Sequence, residues 1–351
     1  MLNDVKDLRI EAPTQAGSLV VIALVAAMVA GLRLDGPAAT VIAAAAMLLF
    51  GLPHGTFDLE LIRRDRSARG VGLSTLLALY LGCALAMYLL WQARPVAALL
   101  FFLAIAVAHF AEDWADTGSG LFSHGIAAAT LTAPVVLHRT ATATIFEAVA
   151  GSADAAMVVE LLVLVAPVAL LLALLGVGSL LIDGHRERAV AAAATLAAMI
   201  LLPPITGFAL FFCMFHSPRH FAAALRSLAW QQPAQWLPVV APLTFAAGGI
   251  AALIYGFGSP IDLPARLAAS AFVALSVLTV PHMAVPLMVA ALSRQAGRRQ
   301  ARSAVSVEPD VPQNAGSWMP HSVLSQPRHR PERGSSPGAT VVVQGTQPID
   351  G

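Results

Sequence analysis

The sequence predicts an all-α protein: a polytopic transmembrane helix bundle of about eight to ten helices, with a histidine metal site inside it. Three observations carry this prediction. Hydrophobic residues make up 58% of the 351 residues, only 12% are charged, and mean hydropathy is +0.74; a soluble domain is roughly 45–50% apolar and about 25% charged. The apolar runs repeatedly reach the ~20 residues that cross a hydrocarbon layer. Finally, His54, His109, His216, His220 and His282 stand inside or at the edges of those runs, where ionisable side chains are costly and mark ion, proton or cofactor sites.

Apolar stretches separated by polar punctuation give about ten segments, near 17–33, 37–53, 72–92, 95–110, 121–138, 155–182, 189–203, 205–222, 237–257 and 265–292. The last two before 237 could form one broken helix or two. Residues 1–16 read as an N-terminal cytoplasmic arm of mixed charge. No clear small-residue cleavage site follows the first apolar run, which therefore reads as a retained helix. Residues 17–293 form the transmembrane domain. Residues 294–351, rich in Arg, Pro, Gly, Ser and Gln, lack apolar periodicity and are expected to be a disordered tail, with His321 and His329 as solvated bystanders.

Arginine sets the orientation, since Lys6 is the single lysine. With ten spans, Arg63, Arg64, Arg66, Arg69, Arg186, Arg188, Arg219, Arg226, Arg294, Arg298, Arg299 and Arg302 fall on one side. Only Arg33, Arg94, Arg139 and Arg266 fall on the other. That asymmetry predicts a multi-pass protein of the cell (inner) membrane with both termini cytoplasmic. On the same count the segments carrying His54, His109, His216 and His220 all end inside, so the four imidazoles can converge at one depth.

Several function classes are excluded. No basic stripe interleaved with aromatics is present, so nucleic acid is not a partner. Cys83 and Cys213 both lie in apolar segments and form no CxxC, which argues against a disulfide framework or thiolate site.

The sharpest local signal is His216-Ser-Pro-Arg-His220. Residues four apart share a helix face, so both imidazoles could reach one ion, although Pro218 removes a backbone bond and could kink the helix. His54 and His109 each have an aspartate four residues on, Asp58 and Asp113. Metal-bound imidazoles usually donate their other N–H to a carboxylate or carbonyl. The spacing suits such pairs, but capping, water or a link to a neighbouring helix are equally open. His282, after Pro281 in the last segment, reads as supporting the ligands or lining the cavity. His124, His138 and His185 adjoin loops or helix ends and read as structural. A nitrogen-rich, cysteine-free site suits Fe, Cu, Zn or Ni. Phe211, Phe212, Phe215 and Met283 could line a tunnel for a long apolar substrate, a reading compatible with many substrates.

Taken together and in order, GLPHGTFD, AHFAEDW, FHSPRHF and TVPHM resemble the signatures of the Brp/Blh family of membrane β-carotene 15,15′-dioxygenases. The resemblance covers roughly residues 45–292. It implies a membrane enzyme that holds non-haem Fe(2+) through histidines and cleaves β-carotene with O2 into two molecules of retinal. The family's four proposed iron ligands fall on His54, His109, His216 and His220, and its late PH motif falls on His282. A rhodopsin in the same lipid bilayer is the inferred downstream user of the retinal. The competing readings are another histidine-box membrane oxygenase, such as a desaturase or hydroxylase, and a non-enzymatic metal- or haem-binding subunit. The first typically has adjacent histidine pairs, and none occurs here.

Overall fold

The computed structural model describes residues 20–23, 26, 31, 33–51, 56–64, 72–257 and 262–306. Every element among the described residues is helical: α1 (Pro37–Gly51), α2 (Asp58–Arg64), α3 (Leu73–Ala93), α4 (Pro95–Ala111), α5 (Gly120–Thr132), α6 (Pro134–Ala150), α7 (Ala156–Ile182), α8 (Arg186–Leu201), α9 (Pro204–Leu210), α10 (Ser217–Ser227), α11 (Pro233–Phe257) and α12 (Leu263–Ser306). Tight 3₁₀ turns follow α4 (Glu112–Thr117) and precede α7 (Ala153–Ala155), and a π-helical turn, Phe211–His216, joins α9 to α10.

The local causes are legible. Pro95, Pro134 and Pro204 open α4, α6 and α9, where the missing N–H costs nothing and the fixed φ suits a first turn. Gly118 and Gly151 end helical stretches with φ of 68° and 63°, a left-handed conformation that a Cβ disfavours.

Among the described residues, five helices are long and apolar enough to cross a membrane: Leu73–Ala93, Pro95–Thr117, Ala153–Ile182, Pro233–Gly256 and Leu263–Leu292. A sixth span arises if α5 and α6, bent by 49° at their junction, count as one. The other predicted segments resolve differently. Most of 17–33 lies outside the described residues, and α1 is a short apolar helix. The 189–222 stretch is α8 followed by the broken α9–π–α10 unit. These pieces are apolar because they are packed in the core, and at 16 and 7 residues α8 and α9 fall short of the ~20 needed to span. The alternation of ten spans therefore does not describe this bundle.

The last helix also runs on to Ser306, beyond the expected boundary at 293. Its extension is rich in Ala, Arg and Gln, strong helix formers that need no apolar face. By internal contacts the chain divides into Met1–Arg302 and Ser303–Gly351; of the second unit, only the helical residues to Ser306 are described.

Packing inside the first unit depends on small residues. A Cβ on Gly125 of α5 would meet Leu172 Cβ of α7 at 2.5 Å, and one on Gly176 would meet Ile126 at 3.1 Å, so these helices touch backbone to side chain. The outward face of α7 leaves Leu164 and Ile182 75% and 86% exposed. Exposed apolar surface on this scale is suited to lipid. Polar cross-links also tie the helices together. One is the Trp91 indole N–H, which donates to Ser276 Oγ at 2.6 Å and ties α3 to α12.

Candidate metal centre

The site forms where regular helix gives way. His109 occupies the last turn of α4, 2% exposed. The chain then tightens into the 3₁₀ turn that carries Asp113 and Trp114, both buried. His216 ends the π-turn and is fully buried; Pro218 follows in the first turn of α10, and His220 lies one turn on. Pro218 thus starts a helix instead of kinking one, and the irregularity lies upstream in Phe211–His216. Single π-turns of this kind frequently sit at functional sites. His282 lies mid-helix in α12, directly after Pro281.

Four imidazoles converge. The His109 ring centre is 4.7 Å from that of His216, 4.9 Å from that of His220 and 4.9 Å from that of His282. His216 and His220 are 4.4 Å apart, and His220 and His282 are 6.3 Å apart. Three separate stretches of chain supply them: the end of α4, the π–α10 junction and α12. His54 lies outside the described residues.

Both aspartates reach across the bundle. Asp113 Oδ2 accepts from His216 Nδ1 at 2.7 Å, and its other oxygen is 3.5 Å from His220 Nε2 and 3.9 Å from Arg219 Nη1. Asp58, at the start of α2, accepts from His282 Nδ1 at 2.7 Å. The i,i+4 spacing suggested His109–Asp113. Past Ala111, however, the tighter winding no longer puts residues four apart on one face, and the Asp113 carboxylate turns toward α10. Its burial at 3% exposure is offset by these charged and N–H partners.

Some participants carried no sequence signal of their own. The Tyr80 hydroxyl of α3 donates to the same Asp58 oxygen that His282 uses. Arg188 of α8 donates to the Asp113 carbonyl at 3.2 Å and to Asp116 Oδ2 at 2.7 Å. A lone hydroxyl in an apolar run and an arginine near a loop are visible in the sequence, but neither shows its partner. Arg219 lies over the Trp114 ring at 5.9 Å. His124 and His138 hydrogen-bond the carbonyls of Gly120 and Leu201, at 2.7 and 3.3 Å.

The donor set fits a metal ion. Ligand atoms of His109, His220 and His282 lie within 4.8 Å of one another, as do those of Asp113, His216 and His220. Two nitrogens bound to one ion at ~2.1 Å can be up to ~4.2 Å apart, so only small adjustments separate these groups from coordination. The Nδ1 atoms of His216 and His282 are held by carboxylates, which fixes each ring's orientation.

Phe211, Phe212, Phe215 and Met283 were expected along a tunnel. Phe211, Phe212 and Phe215 are instead buried in the core, where Phe212 stacks on His216 at 5.3 Å. The apolar cavity found nearby is lined by other residues, among them Phe102, Thr142, Ile145, Val149, Phe208 and Phe272.

An all-helical bundle with membrane-spanning apolar helices and an imidazole cluster backed by carboxylates defines a class: helical membrane proteins with a histidine cluster of a kind that could hold a metal ion. The sequence model of the family described as beta-carotene 15,15′-dioxygenase matches residues 45–289, and the chain belongs to that family. A relative from the uncultured marine bacterium 66A03, named beta-carotene 15,15′-dioxygenase, is 26% identical over 257 residues, which cover 69% of this chain and 90% of the relative. No solved structure matches the chain.

Proposed function

We propose that this protein cleaves β-carotene at its 15,15′ double bond with O2, yielding two molecules of retinal, and that Fe(2+) is held by His54, His109, His216 and His220. One observation carries the reading: the rings of His109, His216, His220 and His282 meet in the interior of an apolar bundle. His282, anchored by Asp58 as His216 is by Asp113, would reach the same ion from α12. In the reaction one carbon–carbon double bond breaks and two carbonyl groups form.

Iron supplies the redox chemistry that lets dioxygen attack a closed-shell alkene. The chain does the rest. Asp113 and Asp58 fix the imidazole tautomers and orientations. The rings of Phe110 and Phe212, 4.8 and 5.3 Å from His216, exclude water and offer apolar walls to a hydrocarbon. Positioning the central bond beside the imidazole cluster is the remaining task, since small misplacements are costly in rate. The apolar helices long enough to cross a membrane support a cell-membrane location.

The test is expression in cells that accumulate β-carotene, followed by extraction of retinal. Loss of pigment with retinal appearing, and no conversion in alanine variants of His54, His109, His216 or His220, is the expected result. Pigment that persists with well-expressed wild type, aerobic and iron-replete, would overturn it.

A further inference from the structure

The cavity lies where the helices break. Leu131 and Pro134 flank the 49° bend between α5 and α6, and Pro204 and Ile205 open α9. Helices that stop and restart leave space that continuous helices would fill. Phe102 of α4, Val149 of α6, Met199 of α8 and Phe272 of α12 complete the walls. The space is partly open and its walls are almost wholly carbon, the character of sites that take apolar ligands. Its only hydroxyl, on Thr142, already donates to the His138 carbonyl at 2.9 Å. The lining therefore recognises shape and apolarity alone.

The cavity adjoins the imidazole cluster through aromatic rings. Phe208, in its wall, stacks with Phe272 at 5.4 Å and touches Phe110 at 6.2 Å, and Phe110 touches His216 at 4.8 Å. The two steps between Phe208 and His216 place those ring centres no more than 11.0 Å apart.

We propose that this cavity is the docking site for one terminal ring of the polyene, and that its aromatic wall at Phe208 and Phe272 sets which double bond reaches the imidazole cluster. The inference rests on the β-carotene reading. A symmetric substrate needs only one such stop: with either end seated, the bond at its midpoint lies at a fixed distance from the cavity. The bulky, methylated ring is also the part of the molecule that an apolar, aromatic-walled chamber suits best.

Val149→Trp and Ile205→Phe, on different helices, fill the chamber, and Phe272→Ala deepens it. The purified iron-loaded protein is titrated anaerobically with β-carotene in detergent, following carotenoid absorbance, and then turned over with O2 and the aldehydes separated. Each filling variant should weaken both binding and kcat/KM at least about tenfold, the scale of a misfitted apolar pocket, with iron content and thermal midpoint unchanged. Phe272→Ala should let the ring travel further and give aldehydes of unequal length. Should both folded filling variants bind and cleave like wild type, the chamber holds lipid and the assignment fails; retinal as the sole product of Phe272→Ala would remove the wall's role in register. A wild type that binds and cleaves no β-carotene refutes the underlying reading itself, an outcome distinct from these.

Discussion

Two regions of this bundle are built by opposite means. Where α5 meets α7, regular helices pack through Gly125 and Gly176, close enough that an added Cβ would collide with Leu172 or Ile126. Where α4, α10 and α12 meet, the helices are irregular: a 3₁₀ turn, a π-turn and an internal proline bring His109, His216 and His282 together. Smooth helices give close, dry contact. Broken ones free side-chain directions that an uninterrupted helix cannot offer. The comparison teaches that chemistry and packing are segregated in this fold, and substitutions should separate them.

The largest effects belong to the irregular region. His109→Ala or His216→Ala should lower retinal formation at least about a hundredfold, since even the groups that support metal ligands are worth ~10–100-fold; metal analysis of the purified variants should show iron lost in parallel. Asp113→Asn comes next, at ~10–100-fold, because it weakens the acceptor that orients His216. A variant that kept full iron and full rate would break the link between the carboxylate and the site.

In the regular region the effect should appear as stability instead. Gly125→Ala pushes α5 from α7 and should cost about 1–3 kcal/mol, read as a lower thermal midpoint in detergent, with activity per folded molecule unchanged. Activity lost without a change in midpoint would mean the two regions are coupled. Tyr80→Phe removes a donor to Asp58 while His282 remains, and should reduce the rate by only about fivefold, the worth of a ~1 kcal/mol hydrogen bond. Smallest of all is Arg139→Ala: the Arg139–Glu160 pair is exposed, and no shift in midpoint or rate should be measurable.

The same division explains what could be read from the sequence. The membrane class follows from composition, and the segments expected to begin near 95 and 205 do begin at Pro95 and Pro204; the segment expected over 121–138 is broken at Pro134. His109, His216 and His220 stood out because imidazole is conspicuous among Ala, Leu and Phe. Asp113 stood out as well, but not its partner: the chain tightens past Ala111 and carries the carboxylate to His216, the link to a neighbouring helix that the spacing had left open. Tyr80 and Arg188 were invisible as participants because their roles depend on which helix lies opposite, and one chain's periodicity does not report that. The span count ran high because a buried α8 and a lipid-facing α7 look equally apolar in one dimension.

One consequence follows from the origin of the imidazoles in three distant parts of the chain. An ion gripped by α4, α10 and α12 would act as a rivet as well as a reagent, because whatever binds the folded form alone adds its binding free energy to the fold. Starved of iron, a cell would then lose the protein along with its output, as the loosened form fell to membrane quality control.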